Sequence, residues 1–200
     1  MARTLLRRPE GPAELVADAV RVLALVSVVV AAIGWGPVEG LSVALVLGGM
    51  MLPRPLGLRP GFDIAFGIVL LVAVWSSVLE IYITARWWDL PVHFVANGLI
   101  AAVGYVVLER SGVVADASTL RRPLLSTALV TTVVGVTLGV IWELFEWFGH
   151  TFIDEEIYVG YEDTLGDLVV GGLGSLVAGL SLRVLMAPRS PSRERAPRAR

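Results

Sequence analysis

Asp89 with His93, Glu143 with Glu146, and Asp163 with Asp167 are three pairs of potential metal or proton ligands, each pair three or four residues apart. That spacing puts both members on one face of a helix, and each pair lies near the end of a long apolar run. Glu80 ends another run, and Asp154, Glu155 and Glu156 lie in the loop between the last two. A carboxylate or imidazole in a hydrophobic segment is unfavourable unless paired, hydrated or bound to a cation, so such groups mark function by default. Close-set carboxylates also resist ionising beside one another. A divalent cation would relieve that repulsion, and inward-pointing Glu, Asp and His pairs are how helix bundles build metal sites. The expected ligands are Asp89, His93, Glu143, Asp163 and Asp167, with Glu146 or Glu80 left as a catalytic base. Carboxylates around a single imidazole make a hard, oxygen-rich set, which favours Mg, Mn or Ca and admits Fe or Zn through His93. Without a metal, the same groups would be a proton-sharing network suited to general acid–base work. Taken singly, each is also compatible with an interfacial or helix-capping acid.

The elements that must position these groups are membrane helices. More than half of the residues are hydrophobic, and they come in long runs rather than amphipathic stripes. A bilayer core needs roughly 20 apolar residues per helix, and six runs can be marked: 17–34, 38–52, 62–84, 91–108, 124–148 and 164–186. The second is short. The expectation is an all-α, polytopic membrane bundle of about six transmembrane helices. Residues 13–187 form its single domain, flanked by a disordered N-terminus (1–12) and a disordered basic tail (188–200).

The absence of cysteine excludes disulfides, thiolate nucleophiles and zinc–thiolate sites. Every basic residue is Arg, and with six spans all but Arg86 fall on one side. The positive-inside rule then makes both termini cytoplasmic. The acids segregate to the opposite side, where all six tryptophans also lie, as an aromatic belt would. Arg7-Arg8 before an apolar run is reminiscent of a signal peptide. That run is long and already carries Asp18 and Arg21, so an uncleaved first span is expected instead.

Each ligand pair continues into small residues on the same helix face. The fourth run reads Asp89, His93, Asn97, Ala101, Gly104; the fifth Gly135, Gly139, Glu143, Glu146; the sixth Asp163, Asp167, Gly171, Ser175, Gly179. The third has Ala73, Ser77 and Glu80 in the same style. Small-xxx-small faces let membrane helices approach closely, so packing by these faces would aim the ligands at a common spot. At about 1.5 Å per residue, Asn97 lies roughly 12 Å below Asp89, and Glu143 roughly 9 Å below Gly149. The last outer loop, 150–162, mixes acids with Phe152, Ile153, Ile157, Tyr158 and Tyr161, a composition able to fold back over that end. Trp142 and Trp147 are expected to be belt and packing residues.

The segments Asp89-Leu-Pro-Val-His93-Phe94, Trp142-Glu143-Leu-Phe-Glu146-Trp147 and Asp163-Thr164-Leu-Gly-Asp167, in that order, resemble the YjdF-like bacterial inner-membrane proteins. The Asp-x3-His-Phe portion bears a fainter likeness to VanZ-type membrane proteins. The resemblance runs from about Phe62 to Met186. It implies a multi-pass protein of the bacterial cytoplasmic membrane and gives weight to Asp89, His93, Glu143, Glu146, Asp163 and Asp167, but it supplies no reaction.

The functions this leaves are three. One is a metal-dependent enzyme acting on a lipid or lipid-linked substrate from the extracytoplasmic side. The second is a cation- or proton-coupled transporter, which would need polar groups and a route through the cytoplasmic halves, where little stands beyond Thr131, Thr132, Thr137 and Asp63. The third is a non-catalytic metal-sensing or partner-binding module. The expected partners are membrane lipid and a divalent metal ion, not nucleic acid.

Overall fold

The computed structural model describes residues 8–155 and 157–185. The expectations for residues 1–7, for Glu156 and for the tail from residue 186 lie outside the described residues. Among the described residues seven α-helices follow in order: α1 (Pro12–Gly34), α2 (Pro37–Met50), α3 (Pro60–Val78), the single turn α4 (Ile81–Thr84), α5 (Asp89–Arg110), α6 (Pro123–Phe152) and α7 (Tyr161–Leu185), with short 3-10 turns at Arg86–Trp88 and Ala117–Thr119. No strand occurs among the described residues. Four of the long helices open on a proline in their first turn, at Pro12, Pro37, Pro60 and Pro123. The fixed φ of proline suits that position, and its missing N–H would have had no intrahelical partner there.

Helices α1, α3, α6 and α7, and α5 with the 3-10 turn before it, are long and apolar enough to cross a membrane; α2 is apolar but shorter. At 14 residues α2 is about 21 Å long, less than a hydrocarbon core of about 30 Å. It nevertheless runs the return leg. Gly40 packs on Ala32 near the top of α1, and at the other end the carbonyl of Met50 accepts a hydrogen bond from Arg21. Helix α3 then rises beside α1, with Asp63 bonded to Arg21 and, further up, Trp75 reaching both Ser27 and Trp35. Six legs alternate in direction. Outward faces carry Leu23, Val26, Ile33, Leu129, Val133, Leu144 and Phe145, all exposed, as a lipid-facing surface requires.

The helices form two sets of three, α1–α2–α3 and α5–α6–α7, joined mainly by α3 against α5. The larger core lies toward the arginine-bearing end, where Met50, Leu56, Phe62 and Phe66 pack with Ala102, Val103, Val106 and Leu182. Arg86 stands apart at the other end, before α5.

The acids do not segregate as cleanly as the sequence suggests. Asp18 and Asp63 lie at the arginine-bearing end, where Arg21 donates to both oxygens of Asp63 at 2.6 Å and to Asp18 at 3.0 Å, while Arg54 also engages Asp18. This chain of charges ties α1, α3 and the loop after α2. Its members are 36 and 42 residues apart, so no local spacing announces it. A carbonyl at a helix C-terminus carries partial negative charge, and Arg21 uses its remaining Nε–H on the Met50 carbonyl at 3.2 Å. We expect Asp63→Ala to lower thermal stability by about 2 kcal/mol, the range for a charge-assisted hydrogen bond. Denaturation followed at 0.05 M and 0.5 M salt checks it. A loss that vanishes at high salt would mean the pair is solvent-screened rather than buried.

Candidate metal centre

The site forms where α5 begins. Two residues beyond the end of α3, Glu80 adopts the left-handed conformation at φ 56°, uncommon for a residue with a side chain. The connection that follows is pinned back on α3 by two hydrogen bonds: the Tyr82 hydroxyl donates to the Ala73 carbonyl at 2.9 Å, and the Trp88 indole to the Ser76 hydroxyl at 3.0 Å. Trp88 directly precedes Asp89, so these anchors fix the first turn of α5. Asp89 and His93 then share one face, with His93 Nε2 3.3 Å from Asp89 Oδ1.

Asp167 comes to the same point from α7. Its Oδ2 lies 4.0 Å from His93 Nε2, and its side chain is only 4% exposed. One ligand atom from each of Asp89, His93 and Asp167 falls within 4.8 Å of the other two. The second oxygen of Asp167, Oδ1, is buried without a hydrogen-bond partner among the described residues. Buried carboxylate oxygens without partners are strongly disfavoured, so this atom calls for a cation or a proton. The donors fit a metal. An ion about 2.1 Å from each donor sets them at most about 4.2 Å apart, and closing from 4.8 Å requires only side-chain adjustment.

The other expected ligands surround this triad rather than join it. Glu143 approaches Thr164 and feels the charge of Asp163, one turn above Asp167. Asp163 in turn faces Arg86. Glu146 is partly buried, accepts a hydrogen bond from the Trp142 indole at 2.9 Å, and lies in the field of Glu143, Asp167 and Asp89. Trp142 is thus more than a belt residue. Glu80 is exposed at its turn. Among the described residues, Asp89, His93 and Asp167 are the group close enough to share one ion.

Beneath the ligands the small residues pack as their spacing predicts. Gly171, one turn below Asp167, lies against the Asn97 side chain, and Gly135 lies against Ser175 and Ala101. The closest approach is between α5 and α7, where a Cβ on Gly174 would collide with the Phe94 carbonyl and one on Gly98 would stand 2.7 Å from the Gly174 carbonyl. Such contacts draw α7 to α5 and so carry Asp167 to His93.

Two further contributors are Tyr82, for which the sequence carries no clear signal, and the loop after α6, whose composition suggests that it folds back. Tyr82 sits within the field of Asp89, Glu146 and Asp167, and burial, reinforced by those carboxylates, pushes its hydroxyl well above the usual range. It therefore remains a proton-bearing donor at every physiological pH. His150 Nδ1 lies 2.6 Å from the Ile157 carbonyl, Ile157 packs on Gly149, and the Arg86 guanidinium sits 5.4 Å from the centre of the Tyr158 ring. These contacts fold the loop after α6 back toward the start of α5.

No curated protein and no solved structure matches the chain. A family model described as "Predicted membrane protein (DUF2238)" does, over residues 16–187, a stretch that includes all six long helical legs but the first turn of α1 and every member of the triad. By that match over most of its length the chain belongs to the DUF2238 family of predicted membrane proteins, whose YjdF-like members its Asp-x3-His, Glu-x2-Glu and Asp-x3-Asp segments resemble.

Proposed function

We propose that the protein is a divalent-metal-dependent membrane enzyme whose site, at the extracytoplasmic end of the bundle, acts on a lipid or lipid-linked substrate. The observation that carries this is the buried Asp167 Oδ1, without a hydrogen-bond partner among the described residues, beside two further donors within sharing distance. A bound divalent ion supplies Lewis acidity toward an ester or phosphoryl oxygen. Asp89, His93 and Asp167 hold it, with Glu143 and Asp163 in the surrounding ring of acids. Glu146 serves as the base that takes a proton from the attacking water, since its carboxylate lies in the field of Asp89 and Asp167 and the Trp142 indole orients it. Glu80, exposed at a turn, suits that role less well. The positive-inside rule puts the arginine-bearing end in the cytoplasm and this site on the far side of a bacterial cytoplasmic membrane.

Close packing below the site favours an enzyme over a transporter. Directly under Asn97 the bundle is filled by Ala101, Gly135 and Ser175, with Ala101 and Ser175 fully buried. A transport route would need polar, hydrated space there.

Elemental analysis of protein purified in detergent without chelator tests the metal. The expected result is stoichiometric divalent metal, with thermal stability falling on chelation and recovering on adding Mn, Mg or Zn. Metal-free protein whose stability none of these ions changes would overturn the proposal. Metal-dependent turnover of extracted membrane lipids separates an enzyme from a sensor, and ion uptake into proteoliposomes without turnover would favour the transporter.

A further inference from the structure

One turn below His93, the Asn97 side chain reaches across to both other ligand-bearing helices. Its Nδ2 donates to the Gly135 carbonyl of α6 at 3.2 Å and to the Ser175 hydroxyl of α7 at 3.4 Å. Ser175 is fully buried, and its own proton goes to the Gly171 carbonyl at 2.8 Å. Proton counting fixes the amide's orientation. The Gly135 carbonyl can only accept, and the Ser175 proton is already committed, so a flipped amide would set its oxygen against two acceptors. The room for this arrangement comes from glycine: a Cβ on Gly171 would stand 2.7 Å from Asn97 Nδ2, and one on Gly139 3.6 Å from it.

We propose that Asn97 is the positioning residue of the metal centre: its amide knots α5, α6 and α7 together beneath the ligands and so sets the distance from Asp89 and His93 to Asp167. The proposal rests on the reading of the triad as a metal site. Rotation of α7 about its axis turns Ser175 and Asp167 through the same angle, so holding Ser175 against Asn97 also holds Asp167, two turns above it, against His93. Groups hydrogen-bonded directly to metal ligands cost about 10–100-fold in metal affinity when changed, and we expect the same range for a residue that sets the spacing of the helices bearing them.

The test is titration of chelator-treated, detergent-purified protein with Mn(II) and, in parallel, Zn(II), alongside the melting temperature of the metal-free form. Asn97→Leu keeps the side-chain size and removes the donors. Ser175→Ala removes one acceptor and leaves the Gly135 bond. Gly179→Ala is the control, because its Cβ would meet Ala128 and Thr131 at 2.8 and 3.0 Å, loosening the α6–α7 contact three turns below Asp167. The expected result is metal affinity weakened about 10–100-fold in Asn97→Leu and more modestly in Ser175→Ala. Gly179→Ala should lose melting temperature while keeping its affinity. Wild-type affinity in folded Asn97→Leu, or in folded Ser175→Ala should the former not fold, overturns the positioning role. Equal weakening in Gly179→Ala does so too, since it would reduce the knot to general packing. Wild type that takes up neither ion refutes the metal site itself, and the positioning role with it.

Discussion

Asp167→Asn is expected to abolish stoichiometric metal binding and, in the absence of metal, to make the protein more stable rather than less. The two effects have one cause. The Asp167 side chain is 4% exposed and its Oδ1 has no hydrogen-bond partner among the described residues. Without a cation, that group either stays ionised in a buried site or takes up a proton, and each state costs free energy relative to the solvated carboxylate of the unfolded chain. Asn keeps the shape, carries no charge and brings an N–H₂ that can donate to nearby Asp89, so the metal-free form gains. With the cation, the same oxygen is a ligand, and removing it should weaken binding more than about 100-fold, on the order of 3 kcal/mol. Ligand stabilisation follows the logarithm of concentration over dissociation constant, so wild type at 100 times its dissociation constant gains about 2.7 kcal/mol, and the variant should gain nothing measurable. Melting curves with and without chelator, for both proteins, give all four values. A variant that keeps its metal, or whose metal-free form melts below that of wild type, would remove the functional role of Asp167. His93→Ala should share the loss of metal. It should not share the gain, because it leaves the Asp167 oxygen as unpaired as before.

Much of this geometry was legible because packing and chemistry share a face. The steps from Asp89 through Asn97 to Ala101, and from Asp167 through Gly171 to Ser175, are the surfaces that meet, and Gly135 closes the third side. A single helix fixes which of its residues share a face but not how it is rotated against its neighbours. That is why Glu143 and Asp163 read as ligands equal to Asp89 and Asp167, yet lie around the triad. The turn at Glu80 was not legible either: glutamate seldom adopts a left-handed backbone, and what holds it is tertiary, the anchoring of Tyr82 and Trp88 on α3. The same holds for the Asp18–Arg21–Asp63–Arg54 chain: the sequence places Asp18, Arg21 and Asp63 toward the arginine-bearing end, but the pairing of Arg21 with Asp63 and of Arg54 with Asp18 joins residues distant in sequence. Contacts of that kind set the depth of α2, a helix whose length alone would not place it.

Substitution of Gly174 should have the largest effect on the fold of any single methyl group. An added Cβ would overlap the Phe94 carbonyl oxygen of α5, and the obstacle is backbone, which no rotamer change can move. Helices α5 and α7 would have to separate, and overpacking of this kind costs about 1–3 kcal/mol for a well-packed site, more where nothing can give. We expect Gly174→Ala at or above the top of that range and no folded Gly174→Val in the membrane. Gly166→Ala is the contrasting case on the same helix, because its Cβ would meet only the terminal Cδ2 of Leu90 at 3.3 Å, the mobile end of a side chain. Gly48→Ala, with nothing within 4 Å, should be stabilising by up to about 1 kcal/mol through helix propensity alone. Detergent melting curves of the three variants therefore give an ordering whose sign changes along the series. Separation at Gly174 would also pull Asp167, two turns nearer the site, off His93, so metal affinity should fall with stability in that variant and in neither of the others. If Gly174→Ala melted with wild type, α5 and α7 would not be in backbone contact, and nothing would hold the Asp167 carboxylate against the imidazole.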